Sequence, residues 1–137
     1  MNKVESFVFF RDWDLSKREE ALKELVEHGI KYIIISGGVS LPDVYESKEK
    51  VEEARDFLSL AYEKYGIKSV FHGWKGRKGR LFIDSEVAKE HAHVIAKALE
   101  KLRDVEGVYA VYLDDEPHYT WDFSIERVRD EYNDLFE

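Results

Sequence analysis

The sequence predicts an α/β fold in which four parallel strands alternate with four helices, a (βα)4 unit. Four short runs are apolar, β-branched or aromatic, each is followed by a segment with helical periodicity, and glycines stand where helices pass into strands. Because strand-helix-strand crossovers are right-handed, this alternation favours a parallel sheet with one shared carboxyl edge. Residues 1–137 are expected to form a single α/β domain.

The predicted strands are short and contain few charged residues. Such runs are typical of parallel strands that are buried on both faces of a sheet. They cover residues 4–10, 30–36, 67–72 and 108–113.

The helices are predicted from apolar residues that recur every three or four positions. In the first helix, Ser16 and Glu19 have the spacing of a capping box, and the pattern stops at Gly29. The second helix covers residues 47–65, the third follows a cap at Asp84 and Ser85, and the fourth covers residues 124–136. The predicted core-facing residues of the first three helices are Ala21, Leu22, Leu25 and Val26; Val51, Ala54, Leu58, Ala61 and Tyr65; and Ala88, Ala92, Ile95, Leu99 and Leu102.

Composition narrows the classes of function. The formal net charge of −8 argues against a general affinity for nucleic acid or anionic membranes. The chain contains no cysteine, so disulfides, thiolate zinc sites and thiol nucleophiles are excluded. No apolar run reaches transmembrane length and no signal pattern is present, so a soluble cytoplasmic protein is expected. The high content of charged residues, 36%, favours a thermophilic source.

Residues able to bind or react follow each predicted strand. In parallel α/β folds ligands bind at the carboxyl ends of the strands, so these side chains are expected at one edge of the sheet. In chain order they are Arg11, Asp12, Trp13 and Asp14; Ser36, Gly37 and Gly38; His72, Gly73, Trp74 and Lys75; and Asp114, Asp115, Glu116 and His118.

The last of these groups is the most informative. Three carboxylates in a row, Asp114, Asp115 and Glu116, come where an apolar strand ends. Adjacent carboxylates repel one another and resist burial, so a cation, a metal or a substrate is expected beside them.

The motif formed by Asp115, Glu116 and Pro117 resembles the Asn-Glu-Pro that ends the fourth strand of many retaining TIM-barrel glycoside hydrolases. The resemblance implies that Glu116 is the general acid/base and that Asp115 stands where the Asn contacts the sugar. It also implies that His72 and Trp74 lie where that family contacts the sugar after the third strand. It covers the four units of an N-terminal half barrel, so the sheet is expected to be half-TIM-barrel-like, with an open flavodoxin-like sheet as the alternative.

A glycosidase needs two carboxyl groups, roughly 5 Å apart for a retaining enzyme. The family carries the second one on its seventh strand, which has no counterpart in four units. Asp12, Asp14, Asp114 or a second copy of the chain could supply it. A half barrel also exposes two sheet edges and its inner face, so a homodimer is expected.

The leading hypothesis is therefore a small glycoside-hydrolase-like protein, either active or degenerate. Its predicted catalytic residues are Glu116, Asp115 and Asp114, and its predicted carbohydrate-binding residues are Arg11, Asp12, Trp13, His72, Trp74, Lys75 and His118.

Two other functions remain open. One is a non-catalytic oligomeric protein that binds a partner through its strand ends. The other is a metal-dependent phosphoesterase, in which Asp114, Glu116, His118 and His72 bind Mg²⁺, Mn²⁺ or Zn²⁺ while Lys75, Arg77 or Arg80 binds phosphate. No organic cofactor is predicted, and a divalent metal is the one cofactor left open. A structural interpretation also stands, in which Asp114 and Asp115 cap loops or pair with Arg11 and Lys75, and Glu116-Pro117 forms a turn.

Overall fold

A computed structural model describes residues 6–73 and 85–112 of the chain. Four strands lie there in one parallel sheet, with helices between them, which confirms the predicted α/β unit. The strands are β1 (Phe7–Phe10), β2 (Tyr32–Ile35), β3 (Lys68–His72) and β4 (Val108–Tyr112). The helices are α1 (Arg18–Glu27), α2 (Leu41–Glu46), α3 (Lys48–Leu58), a π-helix (Ser59–Lys64) that continues α3, and α4 (Ser85–Leu102).

The order of the strands in the sheet is the order of the strands in the chain, β1-β2-β3-β4. A flavodoxin-like sheet would place its second strand at the edge outside its first. Sequential order is the order of a barrel, so the sheet is half-TIM-barrel-like. The register between β3 and β4 shifts at Ser69 and Val70.

The start of α1 differs from the prediction. The Ser16 hydroxyl donates to Asp14 Oδ1 at 2.7 Å, and the Ser16 amide donates to the same oxygen at 2.9 Å. The helix begins one residue later, with Lys17 at the N-cap position and no side-chain cap. The predicted capping box of Ser16 and Glu19 is therefore wrong, because Asp14 binds Ser16 in a local turn instead.

A capping box does occur at α2, a helix that periodicity did not predict. The Ser40 hydroxyl accepts from the Asp43 amide, and the Asp43 carboxylate accepts from the Ser40 amide at 3.0 Å. Pro42 lies in the first turn, where its missing N–H costs nothing. Six residues are too few for a helical period to show in the sequence.

The core lies between the sheet and the helices. Most of the predicted helix stripes face it, but Val26 is 39% exposed and Ala92 is also exposed, so these two positions lie outside the core-facing sides of α1 and α4. Ala98 on α4 is fully buried, and so is Phe57 on α3, which the predicted stripe of that helix did not include. The cluster contains Phe10, Leu22, Ile33, Ile35, Val39, Leu41, Val44, Val51, Ala54, Phe57, Leu58, Ala61, Ile67, Phe71, Ala98 and Leu102.

The two predictions at residue 84 and residues 124–136, a helix cap and a shorter fourth helix, lie outside the described residues. Within the described part of the chain, no helix combines the length and the apolar character needed to cross a bilayer.

Three glycines join helices to strands, as their repetition in the sequence suggested. Gly29, Gly66 and Gly107 have positive φ angles of 77°, 69° and 105°. Residues with a Cβ adopt this left-handed backbone at a cost, which explains the glycine at each of these three positions. A Cβ at Gly107 would also lie 2.7 Å from the Cβ of Tyr62, whereas one at Gly66 would meet nothing within 4 Å.

Gly107→Ala is expected to destabilise the fold more than Gly66→Ala. Both changes carry the left-handed backbone cost of about 1–2 kcal/mol, but only Gly107→Ala adds a clash with a neighbouring side chain. Urea denaturation of the two variants and wild type measures the difference. Equal losses in the free energy of unfolding would show that the approach of Tyr62 does not restrict this turn.

Candidate functional site

Backbone hydrogen bonds fix the positions of the strand ends. The Ser36 amide donates to the Phe10 carbonyl and the Gly73 amide donates to the Tyr112 carbonyl, each at 2.9 Å. The segments that follow β1 and β2 are therefore adjacent at the carboxyl edge, and Gly73 lies beside the end of β4. This edge is where the predicted site residues were expected.

Four of the predicted site residues lie in the described structure. Arg11 and Asp12 are exposed after β1, Trp13 is half-buried beside them, and His72 is half-buried at the end of β3. The others, Trp74, Lys75, Asp114, Asp115, Glu116 and His118, lie outside the described residues. The catalytic and binding roles given to all ten residues stay predictions.

Trp13 is held firmly in the loop that follows β1. Its ring centroid lies 4.6 Å from that of Phe57, and its indole N–H donates to the carboxylate of Glu53 on α3. The ring also covers Gly38, where a Cβ would lie 2.0 Å from a ring carbon. Gly38 has a φ of 78°, so both its backbone and the indole require glycine there. The indole ring of Trp13 is thus used in part for packing within the protein, against Phe57 and Gly38.

Glu53 links Trp13 to a cation. Partial burial tends to raise the pKa of Glu53, but hydrogen bonds from Lys50 and Trp13 outweigh it and hold the pKa below the ordinary value of 4.5. The Lys50 ammonium lies 2.6 Å from Glu53 Oε2. The ionised carboxylate therefore stabilises the loop that carries Arg11 and Asp12.

The rings at the strand ends form a cluster that includes two residues absent from the predicted site. The His72 ring meets Tyr112 edge to face at a centroid distance of 5.1 Å, and Tyr112 lies 6.4 Å from Phe9. Phe9 and Tyr112 therefore join His72 near the carboxyl edge. Residues 7–10 are apolar without interruption, so no signal in the sequence separates the exposed Phe9 from the buried Phe10.

No group of three or more histidine and acidic side chains suited to a metal occurs within residues 6–73 and 85–112. Of the predicted ligands, only His72 lies in these ranges. The metal hypothesis therefore rests on the sequence.

A cavity of about 430 Å³ lies between α3 and α4, lined by Lys48, Val51, Glu52, Arg55 and Lys101. Two of its cations bind the protein itself. Arg55 donates to both carboxylate oxygens of Asp104 at 2.6 and 3.0 Å, and Lys101 donates to the Tyr45 carbonyl at 2.7 Å. These contacts join α3 to the turn after α4, and α4 to the end of α2, so they stabilise the helix layer.

No protein-family model matches the chain, and no curated protein matches it either. A search of solved structures matched the crystal structure of a GH5_18 glycoside hydrolase from Bifidobacterium longum subsp. infantis with a TM-score of 0.56 and 15% sequence identity. The match covers 90% of this chain and 36% of that protein. The chain thus spans about a third of the length of the protein that it matches, and the likeness is one of fold.

The stability difference between wild type and Glu53→Gln is expected to depend on pH. Because the pKa of Glu53 is lower in the folded state, its ionised form adds stability that is fully present above the unfolded value of 4.5 and is lost as the pH falls through the folded value. We expect Glu53→Gln to cost about 1 kcal/mol at pH 7 and progressively less as the pH falls below 4.5.

Urea denaturation at several pH values measures this difference. Glu90→Gln, which changes an exposed glutamate of α4, is the matched control and should show no such trend. A cost for Glu53→Gln that stays constant with pH would contradict the role of the charge.

Proposed function

We propose that this chain is a glycoside-hydrolase-like protein that binds or acts on a carbohydrate at the carboxyl edge of its sheet. The observation that carries the proposal is the fold likeness to a GH5_18 glycoside hydrolase, together with the Asp-Glu-Pro motif that follows β4 in the sequence. Fold likeness alone is a weak argument for activity, so the motif and its position after a strand are needed as well.

In this proposal Glu116 is the general acid/base, and Asp114 and Asp115 either tune Glu116 or bind the carbohydrate. Repulsion between neighbouring carboxylates favours the protonated form of a carboxyl group, and a protonated carboxyl group can donate a proton to a leaving oxygen. The motif begins at Asp115, three residues after Tyr112, the last residue of β4, and Tyr112 is paired with His72.

The proposed carbohydrate-binding residues come from the ends of β1, β3 and β4. Aromatic rings at these ends suit the apolar C–H faces of sugars, while charged side chains suit their hydroxyl groups. The contributing residues are Arg11, Asp12, Trp13, His72, Trp74, Lys75 and His118.

A second candidate function is binding without catalysis, in a homodimer. The observation that favours it is the aromatic surface on the sheet face opposite the core, where Phe7, Phe9 and Tyr109 are 42%, 47% and 45% exposed. Exposed apolar surface of this kind marks interaction sites. We propose a homodimer under either function, because the described strands form only half of a barrel.

A saccharide that binds at the carboxyl edge is expected to raise the melting temperature, because it binds only the folded state. At a hundred times its dissociation constant it adds about 2.7 kcal/mol. A thermal-shift screen of gluco-, manno- and xylo-oligosaccharides tests this. For a saccharide that is also hydrolysed, Glu116→Gln should keep the shift and lose about a hundredfold or more of the hydrolysis rate.

Glu90→Gln is the matched control and should leave both the shift and the hydrolysis unchanged. A saccharide shift without hydrolysis would favour the non-catalytic function. Stabilisation by Mg²⁺, Mn²⁺ or Zn²⁺, with no response to any saccharide, would overturn the proposal in favour of the phosphoesterase.

A further inference from the structure

The sheet presents a second surface, opposite the helices, which we call the concave face. Its side chains are Phe7, Phe9, Tyr32, Ile34, Lys68, Val70, His72, Tyr109 and Tyr112. The strands had been predicted to be buried on both faces, but within the described residues the helices cover only one. Parallel sheets are stable with both faces covered, so this surface needs an occupant.

The concave face is strongly curved. The rings of Phe7 on β1 and Tyr109 on β4 have centroids 5.9 Å apart, and both contact Tyr32 at 5.1 and 4.6 Å. In a flat sheet, three strand spacings would separate β1 from β4 by about 14 Å. The sheet therefore bends toward these rings, as the strands of a closed barrel do when their inward side chains meet in layers.

The edges of the sheet point to the occupant. Among the described strands, β1 and β4 each pair on one side only. In an eight-stranded parallel barrel with sequential order, the fourth strand pairs with the fifth, and the fifth strand is the first strand of the second half. The β4 edge of one copy and the β1 edge of another are complementary in this way, and a two-fold rotation along the barrel axis satisfies both pairs of edges at once.

We propose that two copies of this chain close an eight-stranded parallel barrel, with β4 of each copy beside β1 of the other. The exposed surfaces of Phe7, Phe9 and Tyr109 then become its interior, facing the same rings of the second copy. Closure of the barrel also pairs both open edges of each sheet, and only closure removes sheet edges completely.

This arrangement deepens the proposed function, on which the next step rests. Both carboxyl edges lie at the same end of such a barrel. Arg11 and Asp12 are exposed at the end of β1. Within one chain, β2 and β3 separate them from the end of β4. In the barrel they lie beside the end of β4 of the second copy. The second copy thus brings Arg11 and Asp12 beside the end of β4, and Asp12 is the candidate that the described residues offer for the second carboxylate.

Light scattering on the full chain tests the barrel without any sugar, so its outcome is separate from that of the saccharide screen. Wild type should have twice the mass of one chain. Phe9→Asp places a charge in the proposed interior and should weaken dimerisation by about thirtyfold or more, as expected for a central interface residue. Leu15→Asp, which changes an apolar residue that is 72% exposed in the loop after β1, is the control and should leave the mass unchanged.

A monomeric wild type would overturn the proposal and indicate that residues 113–137 cover the concave face or that it stays open. A dimer that Phe9→Asp weakens no more than Leu15→Asp does would also overturn it, since the interface would lie elsewhere.

Hydrogen exchange is a second test, and it uses wild type alone, so it does not depend on whether a variant folds. Peptides of β1 and β4 should exchange more slowly as the protein concentration rises through the dimer range, and an unchanged rate would refute the edge pairing.

Discussion

Packing of the helices against one face of the sheet is the interaction on which the rest of this structure depends. Ile33, Ile35 and Phe71 point from the central strands into a fully buried layer with Leu22 and Phe57. Successive side chains of a strand point to opposite faces, so burying one set aims the other set to the concave side. The core thereby decides which residues are left for partners or ligands, and it holds the strand ends in a fixed row.

Most of the fold could be predicted from the sequence, because apolar runs, helical periods and glycines at the helix exits agree with one another. The errors were local. Ser16 binds Asp14 rather than capping α1, and Ser40 caps a helix too short to show a period. An apolar run also looks the same whether a strand is buried on one face or on two, so the exposure of Phe9 could not be read from it.

The candidate site was less predictable than the fold, for a physical reason. Position at a strand end follows from topology, but the use of a side chain depends on its neighbours in space. Trp13 was expected to contact sugar, and its ring packs on Phe57 and Gly38 while its N–H binds Glu53, a residue 40 positions away. Only the three-dimensional contact shows that Trp13 anchors the loop whose Arg11 and Asp12 remain exposed.

The contact between Phe7 and Tyr109 across the concave face has a consequence for assembly. Joining the β4 edge of one molecule to the β1 edge of the next is a head-to-tail association, which closes into a ring only when the bend of each unit is large enough. The rings of Phe7 and Tyr109 pack with Tyr32 on the concave face, and this packing stabilises the curvature of the sheet. A flatter sheet with the same edges would add further molecules without closure and grow into a filament. Aromatic packing within one chain therefore determines whether the assembly is a closed dimer or an open filament.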